Sequence, residues 1–126
     1  MTVKIVSDTS ADLNCPDDKT LYEKYDVEPV SMHIIFGVDD YEELKDITTS
    51  GFYEKFKTSK DHPHTSQPSQ QAILEAYEKF SKDYDEIISF HISSGLSGSY
   101  PNAVLAKKMY EKKNPDGEKF ILLIQK

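Results

Sequence analysis

The chain has 126 residues, and 15 basic against 22 acidic side chains leave a formal net charge of −7. All 15 basic residues are lysine, which argues against a nucleic-acid binder and leaves lysines, hydroxyls and backbone N–H groups to hold any anion. The single cysteine, Cys15, excludes an internal disulfide, and with no membrane span or signal-peptide core the expected location is the cytoplasm.

Val3-Lys4-Ile5-Val6 is a short β-branched run ending at Ser7-Asp8-Thr9-Ser10, which predicts a buried strand feeding a polar loop. Thr20 and Glu23 have capping-box spacing, and Leu21, Tyr22 and Tyr25 give a brief apolar stripe, so a short helix is expected there. Val27 to Phe36 is rich in apolar residues and stops at Gly37, predicting one strand with Pro29 near its start, where a missing N–H is tolerated. Val38 to Asp46 reads as a charged excursion. Phe52 and Phe56, four apart behind the cap candidates Thr48, Thr49 and Ser50, predict an amphipathic helix over about residues 50–58, and a polar linker follows from Thr58 to Gln67.

Ile73, Tyr77 and Phe80 recur at helical spacing behind Pro68-Ser69 and predict a helix over about residues 69–82. Glu86 to Ile92 has strand length and opens directly into the small-residue segment Ser93 to Ser99. Ala103, Ala106 and Tyr110 predict a helix over about residues 99–113 that ends in cations and a proline, and Phe120 to Ile124 is a final strand. Strands separated by helices predict an α/β fold: a three-layer sandwich with a mostly parallel sheet and helices on both faces.

In a parallel sheet the loops after the strands share the carboxyl edge, where ligands bind. Ser7 to Ser10 and Ser93 to Ser99 both follow strands, so two hydroxyl-rich segments are expected at one rim. Gly95 and Gly98 allow close backbone approach, and free N–H groups around Ser97 to Tyr100 carry the positive end of a helix dipole, an anion site built without cations. The plainer alternative is that Ser97 or Ser99 caps the helix and the glycines form the turn. Thr65-Ser66-Gln67-Pro68-Ser69 also precedes a helix, and capping is the ordinary use of such hydroxyls.

Other chemistries fit less well. A serine hydrolase would need Ser94 or Ser97 as nucleophile, a base among His33, His62, His64 and His91, and an orienting acid such as Asp8, yet Gly95-Leu96-Ser97-Gly98 is not the nucleophile-elbow pattern. His91, inside an apolar run, reads as a satisfied core histidine. His62-Pro63-His64 supplies two metal ligands without a third nearby and reads as an exposed loop. Asp8 and Asp12 suggest a magnesium pair less readily than an Asp8 that accepts N–H bonds in its own loop. Cys15 has no cationic neighbour to activate it.

Taken together and in order, Asp8-Thr9-Ser10-Ala11-Asp12, Thr65-Ser66-Gln67-Pro68-Ser69 and Ser93-Ser94-Gly95-Leu96-Ser97-Gly98-Ser99-Tyr100 resemble the motifs of the DegV family over nearly the whole chain. The resemblance implies a two-lobed protein that binds a long-chain fatty acid without catalysis of its own and without a cofactor. In some members it implies the binding subunit of a bacterial fatty acid kinase, which presents the carboxyl group for phosphorylation. It implies that Thr65 and Ser94 hydrogen-bond the carboxylate, with Ser66, Ser97 and Gly98 lining the head-group pocket. Neutral hydroxyls and a helix N-terminus suit that task, since no cation has to be desolvated. Asp8-Thr9-Ser10 reverses the family's Asp-Ser-Thr and Ser99 replaces its threonine, each keeping a hydroxyl. Residues 1–126 are expected to form the N-terminal lobe alone, without the family's C-terminal lobe. Half an acyl channel would then remain as an apolar surface for lipid, a second copy of the chain or another polypeptide to cover. The competing reading is a ligand-free structural or interaction fragment.

Overall fold

The computed structural model describes residues 2–13, 20–115 and 120–125. Along the chain lie β1 (Val3–Asp8), a 3-10 turn (Thr9–Ala11), α1 (Thr20–Lys24), β2 (Val27–Val30), β3 (His33–Phe36), β4 (Asp39–Glu42) and α2 (Thr49–Thr58). They are followed by β5 (His64–Ser66), α3 (Gln70–Phe80), β6 (Glu86–His91), α4 (Ser99–Lys113) and β7 (Phe120–Gln125). Four strands form a parallel sheet in the order β2-β1-β6-β7, and the other three form an antiparallel sheet in the order β4-β3-β5. The α/β class with a mostly parallel main sheet is as the sequence predicts. Cys15 lies outside the described residues.

Alternation along the central strands sends Lys4, Val6 and Asp8 of β1 and Ile87, Ser89 and His91 of β6 to one buried face. Ile73, Leu74, Tyr77 and Phe80 of α3 and Ala103, Ala106 and Tyr110 of α4 close over it with Val6, Ile87 and Ile121 in one apolar cluster. Ala103 and Ala106, one turn apart, keep α4 slim where it crosses the sheet. On the opposite face Ile88 and Phe90 are half-buried and Leu122 is exposed.

α2, α3 and α4 lie within a residue or two of their predicted spans. Thr48 caps α2 by accepting from the Gly51 N–H at 3.0 Å, and Ser69 caps α3 by accepting from the Ala72 N–H at 3.0 Å. β1 and the edge strand β2 pair with Ser7 opposite Pro29, a proline that an edge tolerates.

Three expectations give way to tertiary contacts. The single strand expected over Val27 to Phe36 is two strands in different sheets. At the break, the Met32 N–H donates to Thr9 Oγ1 at 2.9 Å and Ser31 Oγ donates to the Glu43 carbonyl at 2.6 Å, which pulls the backbone off the first ladder. The charged excursion contains β4, turned back against β3 through Gly37 at φ +61°. The polar linker contains β5, whose Thr65 pairs with Ile34. Both strands are short and mostly polar, so period-two hydrophobicity does not mark them.

Candidate ligand site at the carboxyl edge

The loop after β6 is closed on one carboxylate oxygen. Asp8 Oδ2, at the end of β1, accepts the Ile92 N–H at 2.8 Å and the Ser99 hydroxyl at 2.7 Å, so both ends of the segment carrying Ser94 are held by the same atom. Asp8 Oδ1 accepts from the Ser10 N–H at 3.2 Å and from the Ser10 hydroxyl. Burial alone would raise the Asp8 carboxyl. The His91 ring, Ser10, the Ile92 N–H and Ser99 outweigh that and hold it well below the usual carboxylate range. Asp8 therefore does what the sequence suggests, and with protein donors on both oxygens it has nothing to offer a metal. Among the described residues no group of three metal-ligating side chains occurs.

Within the loop, the Leu96 and Ser97 N–H groups both donate to the Ser93 carbonyl, at 2.9 and 3.1 Å. The Ser94 N–H is tied to Gln125 Oε1 of β7 at 2.9 Å, while its side chain is exposed. α4 begins at Gly98 with no side-chain cap. Ser99 is not the cap that the plainer reading allowed, because its hydroxyl is committed to Asp8 and His91; Ser97 Oγ accepts from the Ser99 N–H at 3.2 Å. With the Ser97 and Ser99 N–H groups engaged and Pro101 having none, Gly98 and Tyr100 keep the N–H groups open at this helix entry among the described residues.

The Thr65 motif abuts this loop. Asn102 Nδ2 donates to the Pro68 carbonyl at 2.9 Å, and a Cβ placed on Gly98 would lie 3.0 Å from the side-chain amide of Gln67. Glycine at position 98 thus serves close approach between the two motifs. Ser66 Oγ donates weakly to the Gln67 carbonyl at 3.4 Å.

Thr65 and Ser94 open onto apolar surface, each in its own cavity. Thr65 lines a cavity of about 330 Å³ with Ile34, Ile47, Phe52 and Tyr53, and the carboxylate residues Asp12 and Glu43 also line it. Ser94 lines an open one of about 450 Å³ with Tyr100, Pro101, Val104 and Leu105. Glu43 Oε2 accepts from Thr9 Oγ1 at 2.6 Å; burial and the charges of Asp12 and Asp8 raise its carboxyl, against the Thr9 hydrogen bond. Phe52, which lines the Thr65 cavity, packs against Phe36 of β3 with the rings tilted at 49° and their centroids 5.8 Å apart, which ties α2 to the antiparallel sheet. Sequence reasoning placed Phe52 on an amphipathic helix but had no means of pairing it with Thr65.

His91 is fully buried, with Ser89 Oγ 2.7 Å from Nε2 and Ser99 Oγ 2.9 Å from Nδ1. Both serines are equally buried, so this imidazole orients structure and has no exposed hydroxyl to activate. It is the satisfied core histidine that the sequence suggests. No helix among the described residues is long and apolar enough to cross a membrane.

A parallel sheet with hydroxyl-rich loops and uncharged helix-entry N–H groups at its carboxyl edge is an α/β arrangement with a candidate ligand site at that edge. The model of the DegV family, described as an uncharacterised protein family, matches residues 2–121, and the chain belongs to that family. A DegV domain-containing protein of Clostridium perfringens is 37% identical over 116 residues, 92% of this chain and 39% of that protein. A fatty acid-binding protein of Thermotoga maritima is 33% identical over 111 residues, 86% of this chain and 37% of that protein. The crystal structure of a stearic acid-binding protein from Eubacterium ventriosum superposes with a TM-score of 0.83 at 31% identity, covering 97% of this chain and 40% of that one. The chain thus spans about two-fifths of the length of the relatives it matches.

Proposed function

We propose that this chain is the head-group lobe of a long-chain fatty acid-binding protein, with Thr65 and Ser94 donating hydrogen bonds to the carboxylate. The observation that carries the reading is that each of these hydroxyls sits on an apolar cavity while their two motifs touch through Gln67 and Gly98. The side chains of Thr65 and Ser94 take no hydrogen bond among the described residues, so both are available to a ligand. Ser66, Ser97 and Gly98 line the same edge, and the open N–H groups of Gly98 and Tyr100 add positive potential without a cation. The stearic acid of the Eubacterium protein and the fatty acid of the Thermotoga protein supply the ligand class by family membership.

In this reading the task is binding rather than catalysis, and the exposed position of Ser94 presents the carboxyl group to a fatty acid kinase. The single lobe 1–126 supplies the cradle and part of the acyl surface. Exposed Leu96 and Leu105 beside Ser94 belong to that part, which a second lobe, a kinase subunit or a second copy would cover.

Lipid extraction with mass spectrometry, light scattering and titration with stearate test this. Thr65→Val and Ser94→Ala are each expected to weaken binding about ten- to a hundredfold, the loss of one hydrogen bond to a charged group. Their melting temperatures should stay at that of the unmodified chain, since neither hydroxyl supports the fold. Undiminished stearate affinity in Ser94→Ala would overturn the assignment.

A further inference from the structure

Five buried polar side chains, Tyr77, Ser89, His91, Ser99 and Asp8, run from α3 across β6 and α4 to β1, and each is fully buried. The consecutive separations are 2.8 Å from Tyr77 Oη to Ser89 Oγ, 2.7 Å from Ser89 Oγ to His91 Nε2, 2.9 Å from His91 Nδ1 to Ser99 Oγ and 2.7 Å from Ser99 Oγ to Asp8 Oδ2. Proton counting fixes the direction. An ionised carboxylate only accepts, so the one proton of Ser99 goes to Asp8, and its lone pair must accept from His91 Nδ1–H. A neutral imidazole with its proton on Nδ1 has a bare Nε2, which accepts from Ser89, and Ser89 accepts in turn from Tyr77. The opposite tautomer would set Ser99 and Asp8 oxygen against oxygen with no proton between them.

We propose that His91 is a positioning residue: held as the Nδ1–H tautomer by this one-way chain, it fixes the Ser99 hydroxyl on Asp8 and thereby the geometry of the loop that offers Ser94 to the ligand. The chain ends on the oxygen that also takes the Ile92 N–H, so the entry and exit of that loop move together. Tyr77 and Ser89 lie away from the ligand edge yet act on it, because each donates toward the next acceptor and no member has a spare proton. A buried network of this kind is costly when partly satisfied and rigid when complete.

This inference rests on the proposed head-group role of Ser94, and the experiment separates the two. The 126-residue chain labelled with 15N-histidine is measured at pH 8 by long-range proton–nitrogen correlation, with His91→Gln to assign the resonance. Nδ1 is expected as the protonated nitrogen and Nε2 as the bare one; a protonated Nε2 would overturn the chain. In Ser89→Ala, the Ser93 to Gly98 amides should exchange with solvent at least threefold faster, and stearate affinity should fall three- to tenfold. Ser99→Ala should do the same, and Ser99→Thr, which keeps the hydroxyl, should restore both. Unchanged amide exchange in Ser89→Ala would reduce the network to packing and overturn the positioning role. If that variant does not fold, the tautomer of the unmodified chain and Tyr77→Phe decide the matter by the same readouts. Absence of stearate binding in the unmodified chain would overturn the function proposed above, while tautomer and amide exchange would still judge this inference.

Discussion

The side-chain amide of Gln67 occupies the space in which a side chain at Gly98 would stand, 3.0 Å from the position of its Cβ. The two motifs of the proposed site are therefore in contact at a residue whose backbone is ordinary, with φ −78°, and whose need for glycine is purely steric. Gly98→Ala is expected to displace Gln67 and to weaken the start of α4, since alanine is a poorer N-cap than glycine. The expected cost is about 0.5–1 kcal/mol in stability, with a loss of stearate affinity from the displaced Gln67. Thermal melts and ligand titration of the same variant read the two effects separately.

Asp8 sets the acid limb of stability. Its carboxyl lies below the usual range in the fold, so its contribution is fully present above the unfolded value of about 3.9 and is lost as pH falls from there toward the folded value. Asp8→Asn keeps the shape but loses the charge and one acceptor oxygen. It is expected to cost about 3 kcal/mol at pH 7, the scale of hydrogen bonds to a charged group. Urea denaturation from pH 7 down to pH 2.5 should show a falling midpoint below pH 4 in the unmodified chain and a flatter limb in the variant.

Glu43 behaves in the opposite sense. Burial first, then Asp12 and Asp8, raise its carboxyl, so the ionised form is disfavoured in the fold and stability is regained as pH falls through the folded value. Glu43→Gln keeps an acceptor for the Thr9 hydroxyl and removes the charge. We expect the variant to be the more stable of the two at pH 7, with the difference shrinking toward zero near pH 4. Denaturant midpoints at the two pH values check it.

Gly37 tests the antiparallel sheet. It turns β3 into β4 at φ +61°, and a Cβ there would stand 2.5 Å from Asp61 Oδ2. Gly37→Ala is expected to cost about 1–2 kcal/mol from the left-handed backbone, and more from the contact with Asp61. Combining it with Asp61→Ala should recover the steric part alone, which a double-mutant cycle of melting curves isolates.

What the sequence by itself determined is what repeats locally. The 3.6-residue spacing of Ile73, Tyr77 and Phe80 and of Ala103, Ala106 and Tyr110 marked α3 and α4, and the apolar runs at Val3, Glu86 and Phe120 marked three strands of the parallel sheet. The hydroxyl strings at Thr65 and Ser94 were legible as candidates, because their residue types and order are themselves the signal. Only the tertiary structure divided Val27–Phe36 between two sheets, since the decisive hydrogen bonds come from Thr9, 23 positions from Met32, and from Glu43, 12 positions from Ser31. Only it gave β5 a partner, because a three-residue polar strand is stabilised by backbone bonds that leave no mark on side-chain pattern. The use of Ser99 was decided the same way: by local rules it is a cap, but Asp8, 91 positions away, offers a buried charge, and a hydrogen bond to an ionised carboxylate outweighs a cap to a neutral N–H.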